Sequence, residues 1–468
     1  VEAQTTNLAL SGIQWDLETP GVRALGLGGT SAAFGDDVSV IASNPAALTT
    51  LGGLQTTVAF RGADINSAIP VWTENRVSSV NDMESITGVD FAGVTYSSTD
   101  WSVGGFYRTL LSNSMTPGTR DEVVGRDPIT DSQFHYQRGL WKSRSAMDGP
   151  GFSPYADATV EGGGVALAIR MTPQWSAGVS IGYYSLDFKA AAWERTEAFR
   201  SSSIPLDGKY SILRYDTQDD DNKTSAAATV SVRWEFLDGR GSMSLGYAKS
   251  PQFSIASYDC YANAAGCATP ETLKKGADDT AEIGLSKQLT RFDLADMASL
   301  GFSFRPSRNL KVGLELDYIF YSMMARGVVT SSYDKTIATT SIGIEPSMIA
   351  TAADFKSDDV LVSRLGVEYI IRAGEEFSVA LRAGGYKNPA HRTVFNPKRF
   401  GSGDAANEEL QTIGDNYFLK TAFGDKGKDE SHVSVGLGLE WKGMQFDFGY
   451  DWSNVDTVRY GGSMTYRF

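Results

Sequence analysis

The chain has 468 residues, 41% of them apolar and 11% aromatic, with 49 glycines and only 15 prolines. Its 42 basic and 56 acidic residues leave a net charge of −14, which argues against a general binder of nucleic acid or anionic lipid. No stretch approaches the roughly 18 consecutive apolar residues of a membrane helix, and three histidines (His135, His391, His432) with two cysteines are thin material for a zinc or thiol enzyme.

Residues 1–53 do not alternate in polarity. Val1-Glu2-Ala3 fit the small-residue end of a cleaved export signal, which makes a mature exported chain the expectation. A glycine-rich run from Gly21 to Thr30 is followed by Asp36-Asp37 and then by Ser43-Asn44-Pro45-Ala46-Ala47-Leu48. The residue before a proline is extended, and the Asn44 side chain is placed to cap a helical turn. A compact, partly helical unit is predicted over 1–53, separate from 54–468.

From about residue 54 to the end the polarity has period two. Leu310, Val312, Leu314, Leu316, Tyr318 and Phe320 fall on one face of 309–320, against Lys311, Gly313, Glu315 and Asp317. Segments 431–441 and 443–452 repeat the pattern, the latter with Met444, Phe446, Phe448, Tyr450 and Trp452 opposite Gln445, Asp447, Gly449 and Asp451. Alternate side chains of a strand point to opposite faces, so each segment has one apolar and one polar or tiny face.

A soluble sandwich would alternate too, but three features favour a membrane barrel. The segments run about 9–14 residues, long enough to cross a bilayer at a tilt. Trp101, Trp175, Trp234, Trp441 and Trp452 lie at segment ends, where an interfacial girdle sits. Short turns near 98–100, 172–174, 238–240, 306–308, 373–374 and 442–443 alternate with long polar connections near 61–88, 109–159, 188–223, 250–280, 323–359 and 388–430, and a shorter one at 454–459. Fifteen segments can be drawn, but reading 281–305 as one interrupted strand restores the alternation. The expected fold is all-β: a 14-stranded antiparallel transmembrane β-barrel. Its lumen is too wide for wall side chains alone to fill, so residues 1–53 are expected to plug it.

The run from Gly21 to Leu48 resembles the N-terminal hatch of the FadL/TodX family of outer-membrane hydrocarbon transporters. Ala24, Gly26, Gly28 and Gly29 match its small-residue stretch, Asp36 and Asp37 its paired aspartates, and Asn44, Pro45, Ala46 and Leu48 its N-P-A-G-L motif. Ala47 departs from the family's glycine. The terminal strand ending in Phe468 is similar to the recognition signal of bacterial outer-membrane barrels.

The resemblance implies a plugged barrel in the bacterial outer membrane with both termini on the periplasmic side. It implies passive uptake of long-chain fatty acids or other hydrophobic small molecules, captured by the loops, passed by a moving hatch and released laterally into outer-membrane lipid. No enzyme activity, cofactor or metal is expected. A second reading makes the chain a partner-binding component of a secretion or cell-surface assembly, as in barrels of the PorV type, with its extracellular loops as the protein interface.

Burying each methylene of an acyl chain is worth about 0.8 kcal/mol, so a passage for such molecules needs apolar lining. Candidate lining residues are Leu25, Leu27, Phe34 and Leu48 in the N-terminal unit and Phe134, Trp141 and Phe152 in the connection 109–159; packing of the plug and loops is the alternative reading. Arg364 and Arg382 are candidates for a ligand carboxylate, and pairing with acids of the lumen is the competing role. Cys260 and Cys267 are read as a short-range disulfide of an oxidising compartment. Gly178 to Gly182 spells G-x-S-x-G but lies within an alternating strand, where no nucleophile elbow forms. The four aspartates of 216–221 read as a solvated loop or a calcium site.

Overall fold

A computed structural model describes residues 17, 19–73, 76–115, 123–126, 133–137, 140–143, 155–194, 211–216, 224–260, 285–327, 355–374, 376–395 and 427–468. The period-two segments form strands whose exposed face is the apolar one. On the strand Leu310–Ile319, Leu314 and Tyr318 are exposed while Lys311, Glu315 and Asp317 are buried. On Met444–Ser453, Phe446, Phe448, Tyr450 and Trp452 face out while Gln445, Asp447 and Asp451 are buried. A water-soluble sheet would bury the other set. Apolar-out, polar-in alternation is the arrangement of a barrel whose solvent is hydrocarbon.

The wall has fourteen antiparallel strand columns. They are β1 (Gly53–Thr73), β2 (Arg76–Ser97), β3 (Trp101–Met115), β4 (Tyr155–Arg170), β5 (Trp175–Glu194), β6 (Ser211–Asp216 and Thr224–Phe236) and β7 (Gly241–Lys249 and Gln252–Cys260). There follow β8 (Leu285–Asp293 and Met297–Phe304), β9 (Leu310–Ile319), β10 (Val360–Arg372), β11 (Phe377–Asn388), β12 (Glu430–Trp441), β13 (Met444–Ser453) and β14 (Val458–Arg467). Each pairs with the next, and β14 closes on β1 from Gln55↔Arg467 to Asp64↔Val458.

The interrupted strand expected at 281–305 is β8, broken at 294–296, and its hairpin partner β7 breaks at the same level, at 250–251. Of β6, Ser211–Asp216 pairs with upper β7 and Thr224–Phe236 with lower β7.

The short turns lie at one end of the barrel. The tightest, at Lys442-Gly443, has φ of 48° and 82°, the left-handed pair that a two-residue hairpin matched to strand twist requires. Trp101, Trp175, Trp234 and Trp441 are exposed at this end, with Trp175 and Trp234 stacked at 5.8 Å, and Trp452 lies toward the other. The long connections are shorter than the sequence predicts. Over 61–88, expected as a polar connection, β1 and β2 continue as a ladder to Thr73↔Arg76. Ladder hydrogen bonds need only backbone, so polar side chains beyond the apolar band do not end a strand.

Residues 20–51 are folded in short turns and buried: α1 (Val22–Leu25), α2 (Ser31–Phe34), α3 (Val40–Ser43) and a 3₁₀ turn (Pro45–Thr50). Such turns leave backbone groups without partners of their own, and inward-facing side chains of the wall supply them. Ser231 Oγ accepts from Ala46 N, Glu315 from Ala33 N and Asp90 from Gly21 N. Ser97 and Ser102 both donate to Leu48 O, and Ser176 to Ala46 O. Wall glycines let the backbones approach: a Cβ on Gly178 would stand 2.4 Å from Ala46 N, and one on Gly384 would stand 2.3 Å from Leu27 C. The G-x-S-x-G run is therefore strand β5 lying against this segment, with no elbow.

Candidate functional site

Charged side chains that alternation turns inward from the wall meet charges on the inner segment. Arg23 of α1 reaches Asp36 at 2.6 Å and Glu368 of β10 at 2.8 Å. Arg382 of β11 binds Glu368 at 2.8 Å and Asp447 of β13 at 2.6 Å, and Lys311 of β9 binds Asp36 at 2.9 Å. Burial alone would raise the Asp36 carboxyl, but the charges of Arg23 and Lys311 outweigh it and hold the group below the usual carboxylate range. Asp37 is pushed up by burial, which outweighs the charge of Arg23 and the hydrogen bonds from Ser39.

The sequence candidates separate on inspection. Gly28 and Gly29 take φ of 67° and 76°, and Gly26 packs against Gly436. Asn44 does not cap the turn that Pro45 opens; its Nδ2 donates to Ala32 O at 3.0 Å instead, tying two turns together. Asp37 accepts from Ser39 N at 2.6 Å, and Ala46 and Leu48 are fully buried. Leu27 and Phe34 cluster with Ala33 and line neither cavity described below, with Lys311 Nζ 4.9 Å from the Phe34 ring. Arg382 is occupied by its two acids. Arg364 lines both cavities, yet its Nε donates to Asp317 at 2.7 Å. The side chains of Phe134, Trp141 and Cys260, and all of Phe152 and Cys267, lie outside the described residues, as do 217–223 of the aspartate cluster.

The larger cavity, about 70 Å³, lies between the inner segment and the wall and is lined by Phe106, Leu110, Tyr184, Met297 and Ile319 among others. A second, about 40 Å³, is lined by Leu17, Leu25, Tyr321, Val362 and three arginines (Arg61, Arg364, Arg459), and shares Leu17, Thr19, Ile319 and Arg364 with the first.

The larger cavity abuts an irregular seam in the wall. β2 and β3 pair through seven positions, from Ser97↔Ser102 to Phe91↔Arg108, and there their ladder ends. β2 runs on beside β1 to Arg76, and β3 beside β4 to Met115. Each strand bulges at the parting. Asp90 is the extra residue between Phe91 and Val89, and Leu110 the extra residue between Thr109 and Leu111. Asp90 turns inward and binds Gly21 N and Arg61, both at 3.0 Å; Leu110 and Leu111 are both buried, and Leu110 lines the cavity. The Thr109 hydroxyl crosses to Val89 O at 2.8 Å. Nothing in the alternation announced these bulges, because one extra residue leaves the polarity pattern legible on either side.

His432 of β12 is a second feature whose surroundings only the strand register reveals. Its Nδ1 meets Asp451 at 2.7 Å and its Nε2 meets Glu430 at 3.2 Å, with the ring stacked on Tyr386. Both nitrogens are engaged by carboxylates, so neither is left to take a proton from a nucleophilic hydroxyl.

These features together define a closed transmembrane barrel with residues 20–51 packed against inward-facing side chains of its wall, and with a parting of that wall beside an internal cavity. No family model and no curated protein matches the chain. Solved structures do. A Pseudomonas aeruginosa FadL homologue superposes with a TM-score of 0.59 at 13% identity, covering 97% of this chain and 99% of that one. The Ralstonia pickettii toluene transporter TbuX gives 0.56 at 12%, and the CymD monoaromatic hydrocarbon channel 0.53 at 13%, each with the same coverage. The chain has the fold of these FadL-type channels over nearly its whole length.

Proposed function

We propose that this chain is an outer-membrane channel that admits hydrophobic small molecules by diffusion, with residues 1–53 as its hatch and the β2–β3 seam as its lateral exit. The observation that carries this reading is the cavity that touches the seam. Seven paired residues at about 3.3 Å each, tilted by about 40°, put the parting roughly 18 Å above the short turns, within an apolar band about 25 Å tall. Unpaired backbone facing hydrocarbon at that depth is costly, and irregular backbone is tolerated there where it borders a cavity. A seam open to the lumen satisfies that condition, and a molecule that prefers hydrocarbon to water gains by leaving through it.

The short turns, the start of β1 and the end of β14 face the periplasm in this reading, and the long connections face outward to capture the ligand. Uptake of toluene and of a hydrophilic solute of similar size into proteoliposomes tests it. Faster entry of toluene than into protein-free vesicles, without faster entry of the hydrophilic solute, is the expected result. Equal acceleration of both would make the protein a general pore.

A further inference from the structure

The short-turn end of the barrel is not uniform in charge. Successive turns on one side of it carry exposed arginines: Arg240 between β6 and β7, Arg305 and Arg308 between β8 and β9, and Arg372 where β10 ends. Neighbouring strands stand about 4.8 Å apart, and hydrogen bonds join these residues into one arc. Arg305 N donates to Arg240 O at 2.7 Å. Arg372 Nη1 donates to Arg308 O at 3.2 Å and to Asn309 Oδ1 at 2.8 Å. None of these guanidinium groups pairs with a carboxylate among the described residues, although Asp238 lies on the first turn. The rest of this end differs. The turns at 98–100 and 171–174 carry no cation, and Arg170 beside the second donates to Thr49 O on the inner segment. Lys442 is held by Glu376 at 3.4 Å, and Arg467 by Glu440.

Each of these turns also sets its cation beside hydrocarbon-facing side chains. Leu237 shares a turn with Arg240, Phe302 lies just before Arg305, and Ile371 adjoins Arg372; all three are exposed. Trp234, Phe236 and Phe302 form a run of rings with centroids 4.8 and 6.0 Å apart. Such aromatic belts mark the depth of lipid headgroups. We infer that this arc binds the phosphates of anionic phospholipids in the leaflet that borders the short turns. A guanidinium offers paired N–H donors that match two oxygens of one phosphate, and the acyl chains of the same lipid lie against Trp234, Phe302 and Ile371. An acidic soluble protein would pair with the arginines but has no use for the apolar rim. The net charge of −14 opposes general adsorption of anionic lipid, so the preference is confined to the arc. The inference needs the transmembrane barrel and does not need the channel to conduct.

The test places the full chain in nanodiscs of phosphatidylcholine with a minor share of phosphatidylglycerol bearing the same acyl chains. Native mass spectrometry then counts the lipids retained on the released protein. The expected result is phosphatidylglycerol enriched about fivefold over its share of the bilayer, the scale of one arginine near an anionic surface. Arg240→Gln, Arg305→Gln, Arg308→Gln and Arg372→Gln combined should return the retained lipid to bulk composition. Each single replacement should remove part of the enrichment, so the singles decide the matter if the combined variant misfolds. Lys387→Gln, which removes an exposed cation at the opposite end, should leave the enrichment intact. Retained lipid at bulk composition in the intact chain overturns the inference. So does enrichment that survives the combined variant or all of the singles, or that is lost equally in Lys387→Gln. Hexaglutamate that binds the intact chain in phosphatidylcholine nanodiscs but not the combined variant, with no lipid enrichment, makes the arc a docking site for an acidic protein and overturns it too.

Discussion

Among the described residues the strand ladders of the wall are interrupted in two regions, and the two are treated differently. Where β7 and β8 break, the chain ties itself back together. Asp296 accepts from Tyr247 OH at 2.7 Å, Ser250 N at 2.9 Å and Lys249 Nζ at 3.0 Å, while Ser250 Oγ donates to Ala295 O and Leu294 N to Pro251 O. The ladder then resumes above, from Gln252↔Asp293 upward. Where β2 and β3 part, the ladder does not resume among the described residues; each strand keeps its other neighbour, and its bulge turns Asp90 or Leu110 toward the lumen. A broken strand is therefore not in itself an opening. On the proposed reading it becomes one only where the freed edges are not tied back together, for Lys249, Ser250 and Pro251 at the tied break line the same cavity.

The largest expected effect concerns the inner segment, on which both regions border. Deleting residues 1–48 is predicted to raise single-channel conductance in planar bilayers by an order of magnitude or more, since it empties a lumen lined with charged side chains. A conductance equal to that of the intact chain would show that the segment closes nothing.

Next in size is Arg23→Ala. It withdraws a buried cation from Asp36 and Glu368, and should weaken the hold of the segment by about 3 kcal/mol, the low end for breaking a buried pair because Lys311 and Arg382 remain. Brief conductance bursts should appear where the intact chain is silent. Acid should act in the same direction. Because Asp36 is held low in the folded chain, its contribution is present above the ordinary carboxylate pKa of about 3.9 and is lost as pH falls below that value toward the lowered one. Recording bursts from pH 7 to pH 3 checks the sign.

The smallest effect tests the tied region. Asp296→Ala leaves the Tyr247, Ser250 and Lys249 donors without their acceptor, and should lower stability in urea titrations by about 1–3 kcal/mol. Uptake of toluene should be unchanged, because on this account that interruption is not an exit.

Much of the fold was legible before any coordinate, for a physical reason. A barrel writes its lipid-facing residues on every second position, so Leu314 and Phe448 could be sided from sequence, and with them Glu315 and Asp447. The even count of strands and the alternation of turns and connections followed. The extent of the strands past the membrane was not legible: 61–88 looks like a connection because its side chains are polar, yet its backbone pairs. Within the candidate site, the glycine run, the paired aspartates and Asn44 drew attention to the inner segment, but several of its partners are far away in sequence. Glu368 lies 345 residues from Arg23, and no local pattern announces such a pair. Arg364 and Arg382 were marked as cations in the lumen; that Asp317, Glu368 and Asp447 already hold them depends on which strands neighbour which, and only the register reveals it. The seam was invisible because a bulge is a single extra residue.

The claim on which the account turns is that hydrophobic molecules leave through the β2–β3 parting, and closing it reversibly is the direct test. Val89→Cys with Thr109→Cys, placed across the contact between Thr109 Oγ1 and Val89 O, should cross-link on oxidation in a chain whose Cys260 and Cys267 are replaced by serine. Toluene uptake into proteoliposomes is predicted to fall at least tenfold in the oxidised protein and to return on reduction, with neither single variant affected. Full uptake through a cross-linked seam would contradict the account and place the exit elsewhere in the wall or straight down the lumen.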